Sequence, residues 1–208
     1  MYAAHVESSS TPATSGLRDI TREAVRTRIS EVAVDLFAEH GFDSVTVEQI
    51  AAAVGISARS FHRYFPAKED AVIGDLTRWG EFVRDVLASR PADEPVLVSL
   101  RISFESLLSR SRRDEDEQRS KRTMRVLTST ASLRARNLEK HLGWANMLVP
   151  VAQARLAGDY AELRAQTLVQ AALACFDIAL TTWAESEDSD AVELLRRSFD
   201  ALAAAQEM

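Results

Sequence analysis

The run TVEQIAAAVGISARSFHRYFPAK, residues 46–68, constrains the fold more tightly than any other part of the chain. Thr46 and Gln49 stand at the spacing of a capping box, in which each side chain satisfies the other residue's orphan backbone N–H at the start of a helix. Val45 and Ile50 flank the box at the spacing of a hydrophobic staple, and Gly55 supplies a stop. Ser57 follows as a second cap, with Ile56 and Phe61 again at staple spacing, and Pro66 forbids helix beyond Phe65. Two short capped helices joined by a glycine-containing turn of about three residues make a helix-turn-helix. The second of them is predicted to be only about two turns long. Phe61 and Phe65 are needed inside, so Arg59, Ser60 and Arg63 face out.

The flanking sequence reads as helix in both directions. From Thr21 to His40 the apolar positions Val25, Ile29, Val32, Ala33, Leu36 and Phe37 recur at steps of three and four. Gly41 ends this helix and lets Phe42 fold back onto it. A helix is predicted from about Lys68 to Ser89, closed by Arg90-Pro91, and another opens at Asp93-Glu94-Pro95. The charged run RRDEDEQRSKR, 112–122, is expected to be a solvated connection entering the next helix. Periodicity then resumes from Met124 to Leu156, with Pro150 as a kink and Gly158 as a stop. In the next helix Val169, Leu173, Phe176, Leu180 and Trp183 form a bulky stripe beside a mostly smaller one of Leu168, Ala172, Cys175, Ala179 and Thr182, so it is expected to be buried on two sides. The last helix repeats the core spacing at Val192, Leu195, Phe199 and Leu202. With 7 Gly and 5 Pro in 208 residues, helix breakers are scarce, and the expected class is all-α.

Several function classes are disfavoured by what is missing. No apolar run is read as reaching the roughly 18 residues needed to span a bilayer, so a membrane role is not expected. Cys175 is the only cysteine, which rules out an intrachain disulfide or a cysteine-based metal cage and fits a reducing cytoplasm. The four histidines (His5, His40, His62, His141) lack metal spacing, and there is no glycine-rich phosphate loop; neither catalytic residues nor a cofactor or metal is expected. Residues 1–16 offer little to bury and are expected to be a disordered tail. A net charge of -6 argues against a general polyanion coat, so charge is judged locally. From Thr46 to Lys68 three cations (Arg59, Arg63, Lys68) stand against Glu48 alone. Arg18, Arg22, Arg26 and Arg28 lie just upstream among acids, as either a basic extension or a mixed solvated surface.

The segment RTRISEVAVDLFAEHGFDSVTVEQIAAAVGISARSFHRYFPAKEDAV, residues 26–72, resembles the tetracycline-repressor (TetR) family of bacterial transcription regulators. The resemblance covers about a quarter of the chain and implies a helix-turn-helix DNA-binding domain over residues 17–66 and a helical ligand-binding and dimerisation domain over 67–208. It implies that Thr46 lies at a phosphate, that Ser57 to Tyr64 form the recognition helix, and that Lys68 clamps the DNA backbone. Ala58, Arg59, Ser60, His62, Arg63 and Tyr64 fall on family contact positions. Arg59 stands where the family commonly has glycine or a small residue, which leaves it either a guanine or a phosphate contact. His62 is either a base contact or a neutral surface group. Ala67 replaces the usual capping serine, so the helix after it is expected to be poorly capped.

A single unit of this size binds weakly among genomic competitors, so a homodimer on a palindromic double-stranded DNA operator is expected, with half-sites about 34–36 Å apart or a multiple of one turn. As in the family, the last two helices would pair with those of a second copy through Leu168, Ala172, Cys175, Ala179, Thr182, Leu195, Phe199 and Leu202. The body would either be solid or enclose a pocket lined by Trp79, Phe104, Met124, Trp144, Met147, Leu148 and Phe176, with His141 or Asn146 as a polar anchor. The C-terminal half resembles the acyl-CoA-responsive branch, which implies an acyl or other apolar effector. The helix from Lys68 to about Val86 would connect pocket and DNA, with Gly74 and Gly80 either softening it or permitting close packing. The expected outcome is repression; a helical adaptor of the same fold without DNA binding is the alternative.

Overall fold

The computed structural model describes residues 16–73, 76–114 and 117–204, and among them helices are the only regular elements. They run α1 (Leu17–His40), α2 (Val47–Val54), α3 (Ala58–His62), α4 (Lys68–Ile73), α5 (Leu76–Ala88), α6 (Val96–Asp114), α7 (Glu117–Ser129), α8 (Ala131–Gln153), α9 (Ala161–Glu185) and α10 (Ala191–Ala204). The expected tail lies outside the described residues apart from Gly16. The rod expected over 68–89 is described in two pieces, α4 and α5; residues 74 and 75, Gly74 among them, lie outside the description.

Local chemistry sets the boundaries in the N-terminal part. Gly41, at φ 80°, stops α1 with its N–H on the Phe37 carbonyl, and Phe42 returns to pack its ring 4.9 Å from that of Phe37. The capping box forms as read: Gln49 donates its N–H to Thr46 Oγ1, and Thr46 donates its N–H to Gln49 Oε1. Gly55, at φ 82°, is the left-handed stop of α2, and Ser57 caps α3 by accepting the Ser60 N–H. The expectation of a poorly capped helix after Ala67 is corrected: Asp70 Oδ2 accepts the Ala67 N–H at 3.0 Å, which supplies half of a capping box from the third helical position.

Two apolar cores organise the molecule. The first joins Ile29, Phe37, Ile50, Phe61 and Phe65 with Ala71, Val72 and Ile73 of α4, and also takes Val126 and Leu127 from α7 and Leu133 from α8. The helix-turn-helix core therefore continues past residue 66 into elements far along the chain. Ion pairs from Arg119 to Glu31 and from Arg122 to Asp35 fix α7 along α1. The second core packs α5, α6, α8, α9 and α10 around Phe104, Trp144 and Phe176, whose rings stack with centroids 4.8–6.3 Å apart.

Three elements depart from the sequence reading. The periodicity from Met124 to Leu156 is two helices, because Thr130 accepts the Leu133 N–H and caps α8. Most of the charged run 112–122 is helical, in the ends of α6 and α7. Helix α9 is long and apolar enough to cross a membrane by composition, contrary to the expectation that no segment would be; here it is the central helix of the second core, with nine residues from Ala165 to Ala184 buried.

Candidate nucleic-acid interface and effector cavity

The short α3 is pinned from beneath by Phe61 and Phe65, which are 0% and 1% exposed, so the intervening and preceding side chains must face solvent. Ser57, Arg59, His62 and Arg63 are exposed, and Ala58, Ser60 and Tyr64 are half-buried. The Ser57 and Ser60 hydroxyls lie 3.0 Å apart, one donating to the other. His62 Nδ1 is 3.2 Å from the Pro66 carbonyl, which only accepts, so Nδ1 donates to it, and Nε2 has no hydrogen bond among the described residues. Thr46 is exposed at the start of α2, where backbone N–H groups and the helix dipole favour a phosphate.

The pairing of arginines separates this face from the rest of the surface. Among the arginines whose side chains are described, Arg18, Arg22, Arg59 and Arg63 have no ion pair or hydrogen bond, whereas the others are held by carboxylates, carbonyls or rings. Arg18, Arg22 and Arg63 line one cleft with Leu17, Thr21 and Tyr64. The two upstream arginines thus extend the α3 face, which their acidic sequence neighbours had obscured. Arg26 and Arg28 do not join them: Arg26 donates to the Tyr64 carbonyl at 2.6 Å and covers the Phe65 ring, and Arg28 pairs with Glu31.

Lys68 sits differently from the expected clamp on DNA. Its ammonium donates to the Phe42 and Val45 carbonyls at 2.8 and 2.9 Å and lies 4.2 Å from the centre of the Phe42 ring. Those contacts tie the start of α4 to the turn between α1 and α2.

A cavity of about 180 Å³ lies where the two cores meet. Trp79, Met124, Trp144 and Phe176 line it as expected, and Trp183, Leu107, Leu108 and Leu180 complete its apolar wall. Phe104 is behind the wall, stacked on Phe176, and Met147 packs toward Gly80 instead. Gly80 is a close-packing glycine, since an added Cβ would fall 2.5 Å from Met147 Cε and 2.7 Å from Trp144 Cδ1. The wall also includes Val72 and Ile73 of α4, which belong to the helix-turn-helix core.

The cavity's polar groups were not foreseen. Glu117, Ser120 and Thr123 come from α7, and Lys140 from α8. Lys140 Nζ lies 5.0 Å from the Trp144 ring centre and has no hydrogen bond or ion pair among the described residues. Its side chain is half-buried, and desolvation against the indole pushes its pKa down to about 8, against a smaller upward pull from Asp177. The expected anchors lie elsewhere: Asn146 is exposed, and His141 is outside the lining, 3.8 Å from Asp177 and held below the ordinary histidine range by burial and by Lys140. The available signal for Lys140 was its place four residues before Trp144, on one helix face.

The expected dimer stripe is largely internal. Ala172, Cys175, Ala179, Leu195 and Phe199 are all at most 7% exposed within the single chain, where the small stripe of α9 receives α10; Cys175 Sγ is 3.5 Å from the Ser198 carbonyl. Leu168 and Leu202 are half-buried and Thr182 is exposed. The large apolar side chains left exposed on α8 and α9 are Leu138, Leu142, Leu163 and Ile178.

Comparison with known proteins gives a consistent picture. Residues 29–72 match the family model for bacterial regulatory proteins of the tetR family, and residues 94–207 match that for the MftR C-terminal domain. The chain is 30% identical over 177 residues to the proposed mycofactocin biosynthesis transcriptional regulator MftR of Mycobacterium tuberculosis, covering 85% of this chain and 88% of that one. It is 29% identical over 196 residues to the HTH-type transcriptional regulator TcmR of Streptomyces glaucescens, covering 92% and 86%. Among solved structures it resembles the fatty acid degradation regulator FadR of Bacillus halodurans (TM-score 0.59, 20% identity, 91% and 96% covered). It also resembles the TetR-family repressor FadR of Thermus thermophilus in complex with lauroyl-CoA (TM-score 0.52, 24% identity, 86% and 93% covered). These likenesses establish the shared fold.

Proposed function

Because the chain belongs to the tetR family of bacterial transcriptional regulators, we propose that it binds a palindromic operator as a homodimer, with α3 in the major groove, and that a small effector in the cavity releases it. The observation that carries the DNA part is the convergence of Arg18, Arg22 and Arg63 as unpaired guanidinium groups on one cleft, beside the exposed and unpaired Arg59 of α3, in an otherwise acidic protein. Arg59 and Arg63 on the exposed side of α3 suit bidentate hydrogen bonds to guanine, each worth about 1–3 kcal/mol of discrimination. Thr46, Ser57, Tyr64 and the Arg18–Arg22 edge suit phosphates, which fix register without reading sequence. Ala58, Ser60 and His62 complete the reading face, His62 through its free Nε2. Lys68 would reach a phosphate only through its remaining N–H.

Pairing of two copies is supported by the exposed Leu138, Leu142, Leu163 and Ile178 on α8 and α9, together with Thr182. Release is supported by the shared wall: Val72 and Ile73 face the cavity and belong to the core that supports α3. A ligand that favours one placement of α4 over another shifts operator affinity by that difference alone, typically about 1–3 kcal/mol. Repression is the regulatory sense that this release mechanism serves.

The test is an electrophoretic mobility shift with DNA from around the protein's own coding region. Joint substitution of Arg59 and Arg63 by alanine is expected to abolish a sequence-specific shift while leaving the fold and dimer intact. No specific shift with the unaltered protein, on this DNA or on genome-wide recovered fragments, would favour the helical adaptor.

A further inference from the structure

The cavity holds one ammonium among indoles. Three tryptophans, Trp79, Trp144 and Trp183, contribute to its wall, and among the described residues Lys140 is the cation that lines it. Of the three lysines, Lys68 is bonded to two carbonyls and Lys121 to the Ser186 and Glu187 carbonyls. Among the described residues Lys140 has no such partner, and the carboxylate that acts on it, Asp177, is engaged by Asn137 at 3.2 Å and faces His141. Lys140 is half-buried, and an ammonium on an apolar wall without a hydrogen-bonding anion is free to take one from a ligand. An anion arriving in the cavity gains a charge-assisted hydrogen bond there.

Size narrows the class of ligand. A volume of about 180 Å³ is below the roughly 300–1,000 Å³ of pockets that hold drug-sized molecules. It is close to the ~150 Å³ apolar cavity known to take up a benzene ring. Flat aromatic walls favour a planar partner by offset or edge-to-face packing.

We propose that Lys140 is the anion anchor of the effector site and that the effector is a compact aromatic acid of one or two rings, its carboxylate on Lys140 Nζ and its rings between the indoles. This rests on the reading of the cavity as the effector site and replaces a long acyl chain by a smaller, charged ligand.

The test compares benzoate, 1-naphthoate and indole-3-carboxylate with their neutral carboxamides, by calorimetry and thermal shift on the full-length protein. At least one acid is expected to bind at least about tenfold more tightly than its amide, equivalent to about 1.4 kcal/mol. Lys140→Met is expected to erase that preference while leaving the amide's affinity within about twofold. Equal binding of acid and amide, no binding of any of the acids, or an acid preference that survives Lys140→Met would each overturn the assignment. If Lys140→Met does not fold, the acid and amide pair on the unaltered protein decides. Operator binding by the ligand-free protein is measured in parallel, so that loss of the ligand proposal with retained operator binding is distinguishable from failure of the regulator reading.

Discussion

Arg136 on α8 grips Asp70 on α4 with two donors, Nε at 3.1 Å and Nη2 at 2.8 Å, both on Oδ1. The other carboxylate oxygen caps α4 through the Ala67 N–H. One side chain therefore caps the start of α4, which follows α3, and ties it to the helix that carries Lys140 and Trp144 one to two turns further on.

The two roles of Asp70 separate by substitution. Asp70→Asn keeps a cap acceptor but loses the ion pair, which is partly solvent-exposed on the Arg136 side; a loss below about 1 kcal/mol is expected. Asp70→Ala loses both, and about 1–2 kcal/mol is expected from the cap. Urea unfolding measures the difference, and a larger loss for Asn than for Ala would remove the cap from the account.

Lys68→Met distinguishes an internal bracket from a DNA clamp. Removing the donor leaves the Phe42 and Val45 carbonyls without it, at an expected cost of about 1–3 kcal/mol in unfolding free energy. The slope of log K against log salt for operator binding should change by less than that for one phosphate contact, about 0.9. Unchanged stability with a full unit lost from the slope would restore the clamp.

Arg18 and Arg22 make the opposite prediction. Neither has an internal partner among the described residues, so replacing both by alanine should leave stability within about 0.5 kcal/mol. If each contacts one phosphate, the salt slope should fall by about 1.8 in total. The loss of affinity should be similar on specific and nonspecific DNA, as measured by fluorescence anisotropy at several salt concentrations.

What was legible in the sequence was mostly local. Thr46, Gln49, Gly55, Ser57 and Phe61 act on residues within five positions, so their caps and stops can be read without knowing what packs on them. The Ala172, Cys175 and Ala179 stripe was read correctly as a close-packing surface, but small residues look alike whether the helix they receive comes from the same chain or another. Here α10 fills it. Lys140 was passed over because an isolated lysine on a helix usually only reaches water, and it is the convergence of Trp79 and Trp183 from distant helices that makes it part of a cavity wall. The Thr130 cap was hidden by apolar steps of three and four that continue across it.

Gly80→Ala tests the approach of α5 to α8. Alanine gains about 1 kcal/mol of helix propensity, but its methyl carbon would overlap Met147 Cε at 2.5 Å and Trp144 Cδ1 at 2.7 Å. Met147 can swing away; Trp144 is backed by Phe104 and Phe176 and cannot do so freely. Overpacking of about 1–3 kcal/mol should outweigh the propensity gain. The expected result is a lower Tm with altered tryptophan fluorescence, and a raised Tm would contradict the packing.

The pH dependence of stability should carry the signature of Lys140. Its folded pKa, about 8, lies below the ordinary 10.5, so the unfolded chain binds more protons between those values. Stability from this group is therefore absent below pH 8, rises through the window and is complete above 10.5. Cys175 acts in the opposite sense, because burial raises its thiol pKa above the ordinary 9 and stability from it falls as pH rises past that value. The groups near the ammonium are Asp177 on α9, which favours its charge, His141 on α8, which is neutral in this window, and Glu117 on α7 across the cavity. The difference between the unaltered protein and Lys140→Met cancels the cysteine contribution. Urea midpoints from pH 7 to 11 should show the Lys140→Met advantage shrinking as pH rises, and an advantage constant across the window would mean that the ammonium is not desolvated in the folded protein.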